Sequence, residues 1–172
     1  SYSSEQAERR QFFMDSMPQR ESLQEHLMKQ LELAALTEVD RQVGELIVGS
    51  ISDDGYLTTS VEELSSTAAI DAAHMHDVLT VIQDFNPTGV GARNLRECLH
   101  LQMDRLGKTD TLAYRLVADH LESLADHKFP DIARALKVTP EEVQAAANFI
   151  STLDPKPGRA YSTDEPDYVL PE

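Results

Sequence analysis

The sequence of 172 residues contains little cysteine, little positive charge and no long apolar run. Its single cysteine, Cys98, excludes an intrachain disulfide and a cysteine-based zinc site. No stretch approaches the roughly 18 apolar residues of a membrane-spanning helix, and the polar residues 1–10 do not resemble a signal peptide. The first residue is not methionine. These absences predict a cytoplasmic chain, excised from a longer one, that does not enter a membrane.

Basic residues are scarce, because 15 lysines and arginines stand against 30 aspartates and glutamates, giving a net charge of −15. Neutralising a phosphate backbone requires lysine and arginine, so this balance excludes nucleic-acid binding by the chain alone. The acidic excess is concentrated in residues 37–92, where Arg41 is the one basic residue among ten acidic ones. This stretch has two interpretations: a solvated surface that keeps the chain soluble, or a docking face for a basic protein partner.

Apolar residues recur at the spacing of amphipathic helices, and no stretch shows the sustained alternation of a β-strand. Eight helices are predicted, and the sixth is predicted as one helix that carries Leu112, Leu116, Val117, Leu121 and Leu124. The last helix has the clearest start, with threonine at the cap, proline at the first position and glutamate at the third. The predicted starts are Ser22, Thr37, Ser60, Asp71, Asn94, either Thr109 or Asp110, the region of Asp131, and Thr139.

A shift of 68 residues aligns residues 61–87 with residues 129–155 without gaps, and most apolar positions coincide. Each copy has the pattern of a short helix, a turn, a longer helix and an Asx-Pro stop, which is the order of a helix-turn-helix. Neither longer helix contains lysine or arginine, so DNA reading is not expected. The predicted fold is all-α, with two small helical bundles in tandem, each ending in a helix-turn-helix-like unit. The predicted boundaries are a flexible N-terminal segment 1–18, a first bundle 19–87, a second bundle 88–158, and an extended C-terminal linker 159–172.

No group of residues has the spacing of an enzyme active site or a metal site, and no cofactor is expected. Residues 50–61 resemble a calcium loop only superficially, because Ser50 stands where the loop begins with aspartate and Val61 occupies the position that requires a bidentate acid. We interpret the turn before Tyr56 as structural, with Gly55 at positive φ and Tyr56 at least half buried. Cys98 is interpreted as a small buried hydrophobic residue, since no base is placed to activate it.

Residues 87–98 join the two repeats and combine one proline and two glycines with the predicted cap Asn94. A phosphate-binding loop would require a preceding strand and a following lysine, and the sequence predicts neither, so a rigid turn between helices is favoured. Val90 and Leu95 are expected to be buried there. Arg93 is expected to pair with carboxylates or helix carbonyls across the seam between the bundles, or else to contact a partner directly.

Three motifs make the sequence recognisable. They are FNPTGVGARNLRECL at residues 85–99, DDGYL at residues 53–57, and LDPKPG at residues 153–158. In this order and spacing the chain resembles the core-binding domain of the sigma-54 (RpoN) family, the enhancer-dependent bacterial transcription initiation factors. Asn86 and Asn94 replace the aspartates usual in the family, and asparagine keeps the hydrogen bond of a turn or cap while losing the charge.

The resemblance implies a docking module for core RNA polymerase, contacting its β and β′ subunits, rather than an enzyme. In the full-length factor, promoter DNA and an AAA+ activator would be contacted by regions outside this chain. The alternative is an acidic helical scaffold, or a nucleic-acid mimic, that binds a basic partner. The candidate structural or polymerase-docking motif comprises Asp53, Asp54, Gly55, Tyr56, Leu57, Phe85, Pro87, Gly89, Val90, Arg93, Leu95, Glu97, Asp154, Pro155, Pro157 and Gly158.

Overall fold

The computed structural model describes residues 4–10 and 21–161, and within these ranges the all-α prediction is confirmed. Two isolated backbone bridges are the only β-type pairs there. No helix in the described ranges is long and apolar enough to cross a membrane. The helices are α1 (residues 4–10), α2 (Leu23–Leu33), α3 (Glu38–Gly49), α4 (Val61–Ala68), α5 (Ala72–Gln83), α6 (Leu95–Arg105), α7 (Leu112–Asp119), α8 (Leu121–Ala125), α9 (Phe129–Leu136) and α10 (Pro140–Ile150), followed by a 3-10 helix (Pro157–Tyr161).

Most helices begin at the caps that the sequence predicts. Each cap is extended and its side chain accepts a hydrogen bond from the backbone N–H three residues on, which satisfies one of the unpaired donors of the first turn. The cap of α10 also forms the reciprocal bond of a capping box. The confirmed caps are Ser22, Thr37, Ser60, Asp71, Asn94 and Thr139.

The predicted sixth helix is wrong in its start and in its continuity. It begins after Thr111, whose hydroxyl accepts from the Tyr114 N–H, and not at the two preceding residues. It also breaks at His120, where φ −132° and ψ 21° leave the helical region and separate α7 from α8. Val117 and Leu124 keep helical spacing across this break and both remain buried, so periodicity gave no sign of it.

The repeat predicted from the sequence is a structural repeat. Helices α4 and α9 have eight residues each and occupy corresponding positions under the 68-residue shift. Both end on a left-handed residue, Ala69 at φ 56° and Lys137 at φ 58°. The next N–H closes each turn in the same way, from Ile70 to the Ser65 carbonyl and from Val138 to the Ala133 carbonyl. The two copies therefore share the geometry of the turn that joins their two helices.

Buried apolar side chains form two clusters. The first comes mainly from α2 to α5 and also contains Val90, while the second comes from α6 to α10. The 3-10 helix replaces the start of the predicted extended linker, because Tyr161 turns back to pack against the first cluster. Residues 4–10 are helical and exposed. The remaining parts of the predicted N-terminal segment and linker, residues 1–3, 11–18 and 162–172, lie outside the described residues.

Candidate functional site

The three motifs are far apart in the sequence and meet at one place in the fold. The Gly91 N–H donates to the Gly55 carbonyl at 2.8 Å, and the Leu57 N–H donates to the Ala92 carbonyl at 2.9 Å. The Gly158 N–H donates to the Asp54 carbonyl at 2.9 Å. We call the assembled segments 53–57, 85–98 and 154–158 the motif junction. Because its bonds run between backbones, the junction holds the three segments in one fixed arrangement.

Glycine makes the closest approach in the junction possible. Gly55 has φ +102°, as predicted, and a Cβ there would lie 3.1 Å from the Gly158 nitrogen. A Cβ on Gly158 would lie 2.7 Å from both the Asp54 carbonyl carbon and the Gly55 nitrogen, so backbone would have to move. Both partners in this contact must therefore lack a side chain.

Tyr56 connects the second motif to the third. Its ring is more than half buried, as predicted, and its hydroxyl donates a hydrogen bond to the Pro155 carbonyl. Burial raises the pKa of Tyr56, and the nearby Cys98 raises it further. The phenol therefore stays protonated and keeps its donor role at neutral pH. Leu57 beside it is buried in the first cluster.

Gln102 fixes the third motif to α6, and the sequence analysis missed it. Its amide nitrogen donates to the Asp154 carbonyl at 2.7 Å, and its amide oxygen accepts from the Asp154 N–H at 2.8 Å. Gln102 is buried beside Cys98 and Met103. A polar residue on an otherwise apolar helix face was the signal that could have revealed it, because a buried amide requires partners.

Cys98 is fully buried, as predicted. Its thiol lies 3.6 Å from the Asp154 carbonyl oxygen and packs against the turn at Gly89, where a Cβ would come within 2.9 Å of the sulfur. Burial raises the pKa of Cys98, which outweighs the hydrogen bonds from Tyr56 and Gln102 that lower it. The side chain therefore acts as a packing residue and not as a thiolate.

Arg93 pairs within its own helix start and not across the seam, so that part of the prediction is wrong. Its guanidinium contacts the Glu97 carboxylate at 2.6 Å and 3.1 Å, and its backbone N–H donates to the same carboxylate at 2.9 Å. The physical reason lies at the helix start, where Arg93 precedes the cap Asn94 and Glu97, the third residue of α6, reaches back to it. The Gln83 amide of α5 also donates to Glu97, at 3.1 Å, so Glu97 itself makes the connection between the two halves.

Arg105 makes the cross-seam contact that Arg93 was expected to make. From the end of α6 it donates to the Asp84 carbonyl at 2.6 Å, the Asn86 side-chain oxygen at 2.8 Å and the Thr88 hydroxyl at 3.3 Å. On the other side of this turn, Gln30 of α2 exchanges two hydrogen bonds with the Asn86 backbone, at 2.6 and 2.8 Å. Nothing in the sequence distinguishes Arg105 from other basic residues at helix ends.

The remaining motif residues divide into buried and exposed positions. Val90 is fully buried, as predicted, and Phe85 packs against the first cluster. Leu95 is 39% exposed, which contradicts its predicted burial, because it is the first residue of α6 and the inner face of that helix begins at Cys98. Pro87 is partly buried, Pro157 is buried, and Asp53, Asp154 and Pro155 are exposed.

Within residues 4–10 and 21–161, no group of three or more histidine, cysteine or acidic side chains is placed to hold a metal ion. The contacts of the motif junction are backbone, amide and ion-pair contacts that fix shape. The fold and the junction thus define a class: an all-helical chain with two apolar cores whose connection is held rigid from both sides.

Comparison with known proteins identifies the family. The chain belongs to the family described as "Sigma-54 factor, core binding domain", whose model matches residues 12–172. It is 40% identical over 156 residues to an RNA polymerase sigma-54 factor of Acidithiobacillus ferridurans, and 37% identical over 158 residues to that of Salmonella typhimurium. The Escherichia coli factor is 36% identical over 158 residues. These matches cover 88% of this chain and 33% of each relative, so the chain spans a third of their length.

Proposed function

We propose that this chain is the module that docks a sigma-54-type factor on bacterial core RNA polymerase for promoter-specific transcription initiation. Family membership supports this proposal, and the observation that carries it is the convergence of the three motifs. The residues that carry the family resemblance assemble into one rigid joint and do not line a reactive cleft. A joint of this kind serves binding, because a partner meets a surface whose shape is already set.

Within this proposal the motif residues have two roles. Buried residues such as Gly55, Val90 and Gly158 keep the two helical clusters in one relative position. Exposed residues such as Asp53, Leu95 and Pro155 are accessible to a partner. The expected partner is core polymerase through its β and β′ subunits, with promoter DNA and an AAA+ activator engaging other regions of the full factor. Helices α5 and α10 contain no lysine or arginine, which supports the proposal that this chain alone does not read DNA.

The test is direct binding of the purified chain to purified bacterial core RNA polymerase. We expect a stoichiometric complex on size-exclusion chromatography, and we expect a full-length sigma-54 factor to displace the chain. An unrelated basic protein is the control for the acidic-scaffold alternative. Equal binding to that protein and to polymerase, without displacement by the full factor, would support the alternative and contradict the proposal.

A further inference from the structure

The connection between α2 and α3 exposes apolar side chains that the cores do not use. Leu33 is 87% exposed and Val39 is 57% exposed, and Ala35 between them is exposed as well. Both large residues flank a turn of four residues at one end of the α2–α3 pair. We call residues 32–40 the α2–α3 tip. Exposed apolar groups that lie together in this way mark interaction sites more often than isolated ones do.

The tip residues do not contribute to the first core. The faces of α2 and α3 that pack inside carry Leu27, Leu31, Val43 and Ile47, all of them buried. Leu33 follows Leu31 by two positions and therefore points away from that face. A polar residue at this position would serve folding equally well, so the stability of the bundle does not explain the leucine.

The charge around the tip is negative. Residues 32–40 contain three acidic residues and no lysine or arginine. Arg41 pairs with Glu38, and His74 of α5 lies 2.6 Å from Asp40. In the described part of the chain, Glu32 has no cationic partner. A surface that would accept the tip should therefore combine an apolar pocket with a basic rim.

The other exposed large apolar residues have different surroundings. Leu95 lies between Arg93 and Arg96, and Leu106 is 56% exposed next to Arg105. Among the described residues, the tip thus differs in that two exposed large apolar residues flank one turn, and in that acidic residues outnumber basic ones around it, because the nearby Arg41 is already paired with Glu38. This difference makes Leu106 a suitable control for exposure alone.

We infer that the α2–α3 tip is a docking knob that inserts Leu33 and Val39 into an apolar pocket with a positively charged rim on a protein partner. The inference rests on the proposed function, in which that partner surface belongs to core RNA polymerase. The apolar pair supplies the desolvated centre of the contact. The acidic neighbours supply attraction during approach and reject acidic surfaces.

The first experiment compares the double variant Leu33→Ser/Val39→Ser with Leu106→Ser in binding to core polymerase. We expect the double variant to bind at least about tenfold more weakly, about 1.4 kcal/mol, and Leu106→Ser to bind like the parent. Both changes lie at exposed positions, so thermal unfolding followed by circular dichroism should show folded proteins.

The second experiment tests the charge. Glu32→Lys should slow association with polymerase at low ionic strength, and the difference from the parent should shrink as salt is added. Glu122→Lys, an exposed glutamate on α8, is the matched control and should have a smaller effect. Equal effects of the two changes would mean that only the total charge matters, which would overturn the role given to the acidic residues of the tip.

The outcomes separate the inference from the proposed function. A parent chain that does not bind core polymerase would overturn the proposed function itself. Parent binding that the double variant retains in full would overturn the knob while leaving the proposed function intact. Sedimentation of the parent and the double variant tests whether the tip binds a second copy of this chain instead of polymerase. Self-association that the serines abolish, with polymerase affinity unchanged, would also overturn the inference.

Discussion

Two glycines of the motif junction are required for different physical reasons. Gly55 has a positive φ of +102°, which residues with a side chain rarely adopt. Gly158 lies outside the positive-φ region, yet its Cα faces the backbone of the Asp54 turn so closely that a Cβ would lie 2.7 Å from the Asp54 carbonyl carbon. The first requirement follows from a turn motif and was predicted, while the second depends on a segment about 100 residues away.

Gly158→Ala should therefore destabilise the protein by about 1–3 kcal/mol, because backbone must shift to admit the methyl group. Gly49→Ala is the matched control. A Cβ at Gly49, the last residue of α3, meets nothing within 4 Å, and alanine favours a helix over glycine by about 0.5–1 kcal/mol. Urea unfolding of the two variants measures the difference. A Gly158→Ala midpoint equal to that of the parent would contradict the close approach.

The Glu97 carboxylate connects α5 to the start of α6, because it accepts hydrogen bonds from both Gln83 and Arg93. Its carboxylate is partly buried, and burial raises its pKa, but hydrogen bonds from the Arg93 side chain and backbone, and from Gln83, lower the pKa by more. The net pKa lies below the ordinary value of 4.5. A carboxyl whose pKa is lowered by folding stabilises the folded state only while it is ionised.

Glu97→Gln should lower the free energy of unfolding by about 1 kcal/mol at pH 7, since Arg93 and Gln83 lose a charged acceptor and Arg93 is partly exposed. The difference in free energy of unfolding between the parent and Glu97→Gln should be fully present above the unfolded pKa of Glu97, near 4.5. It should disappear as pH falls through the lower pKa of the folded state. Urea unfolding of both proteins between pH 7 and pH 3 gives this difference directly. A difference independent of pH would mean that the ionised carboxylate is not responsible.

At the scale of elements, the sequence predicts helix starts better than helix breaks. A start depends on a cap and the next few residues, as at Ser60 and Thr139, and these are local in sequence. The break at His120 instead separates α7 from α8, and α8 contacts both α7 and α9. The spacing of the apolar residues does not show this break, because Val117 and Leu124 keep helical spacing across it and are both buried.

In both repeats the short helix ends on a residue in the left-handed conformation, although neither residue is a glycine. Ala69 and Lys137 adopt the left-handed region that glycine favours at this position. Ala69→Gly should therefore stabilise the protein by about 0.5–1 kcal/mol. The same change at the exposed mid-helix residue Ala145 should destabilise it by about 1 kcal/mol. Melting temperatures of the two variants should move in opposite directions, and a shared direction would contradict the left-handed cap.

At the scale of the whole molecule, the acidic excess has a consequence for association. Residues 37–92 carry ten of the acidic residues and form much of the first bundle. If this surface attracts a basic region of core polymerase, the association rate should fall several-fold between low and physiological ionic strength, while dissociation changes little. Stopped-flow or surface-based kinetics at several salt concentrations measures both rates. A rate that does not depend on salt would leave the acidic stretch with a role in solubility alone.

The sequence by itself determined the helical class, six of the helix caps, the structural repeat and the family, because each depends on local spacing or on short contiguous motifs. Only the tertiary structure decided how the motifs are used. It assigned Glu97 to Arg93, gave the cross-seam contact to Arg105, buried the amide of Gln102 against Asp154 and left Leu95 partly exposed. The contacts of Arg105 and Gln102 join segments distant in the chain, and residue identity does not specify such a partner until packing has brought the segments together.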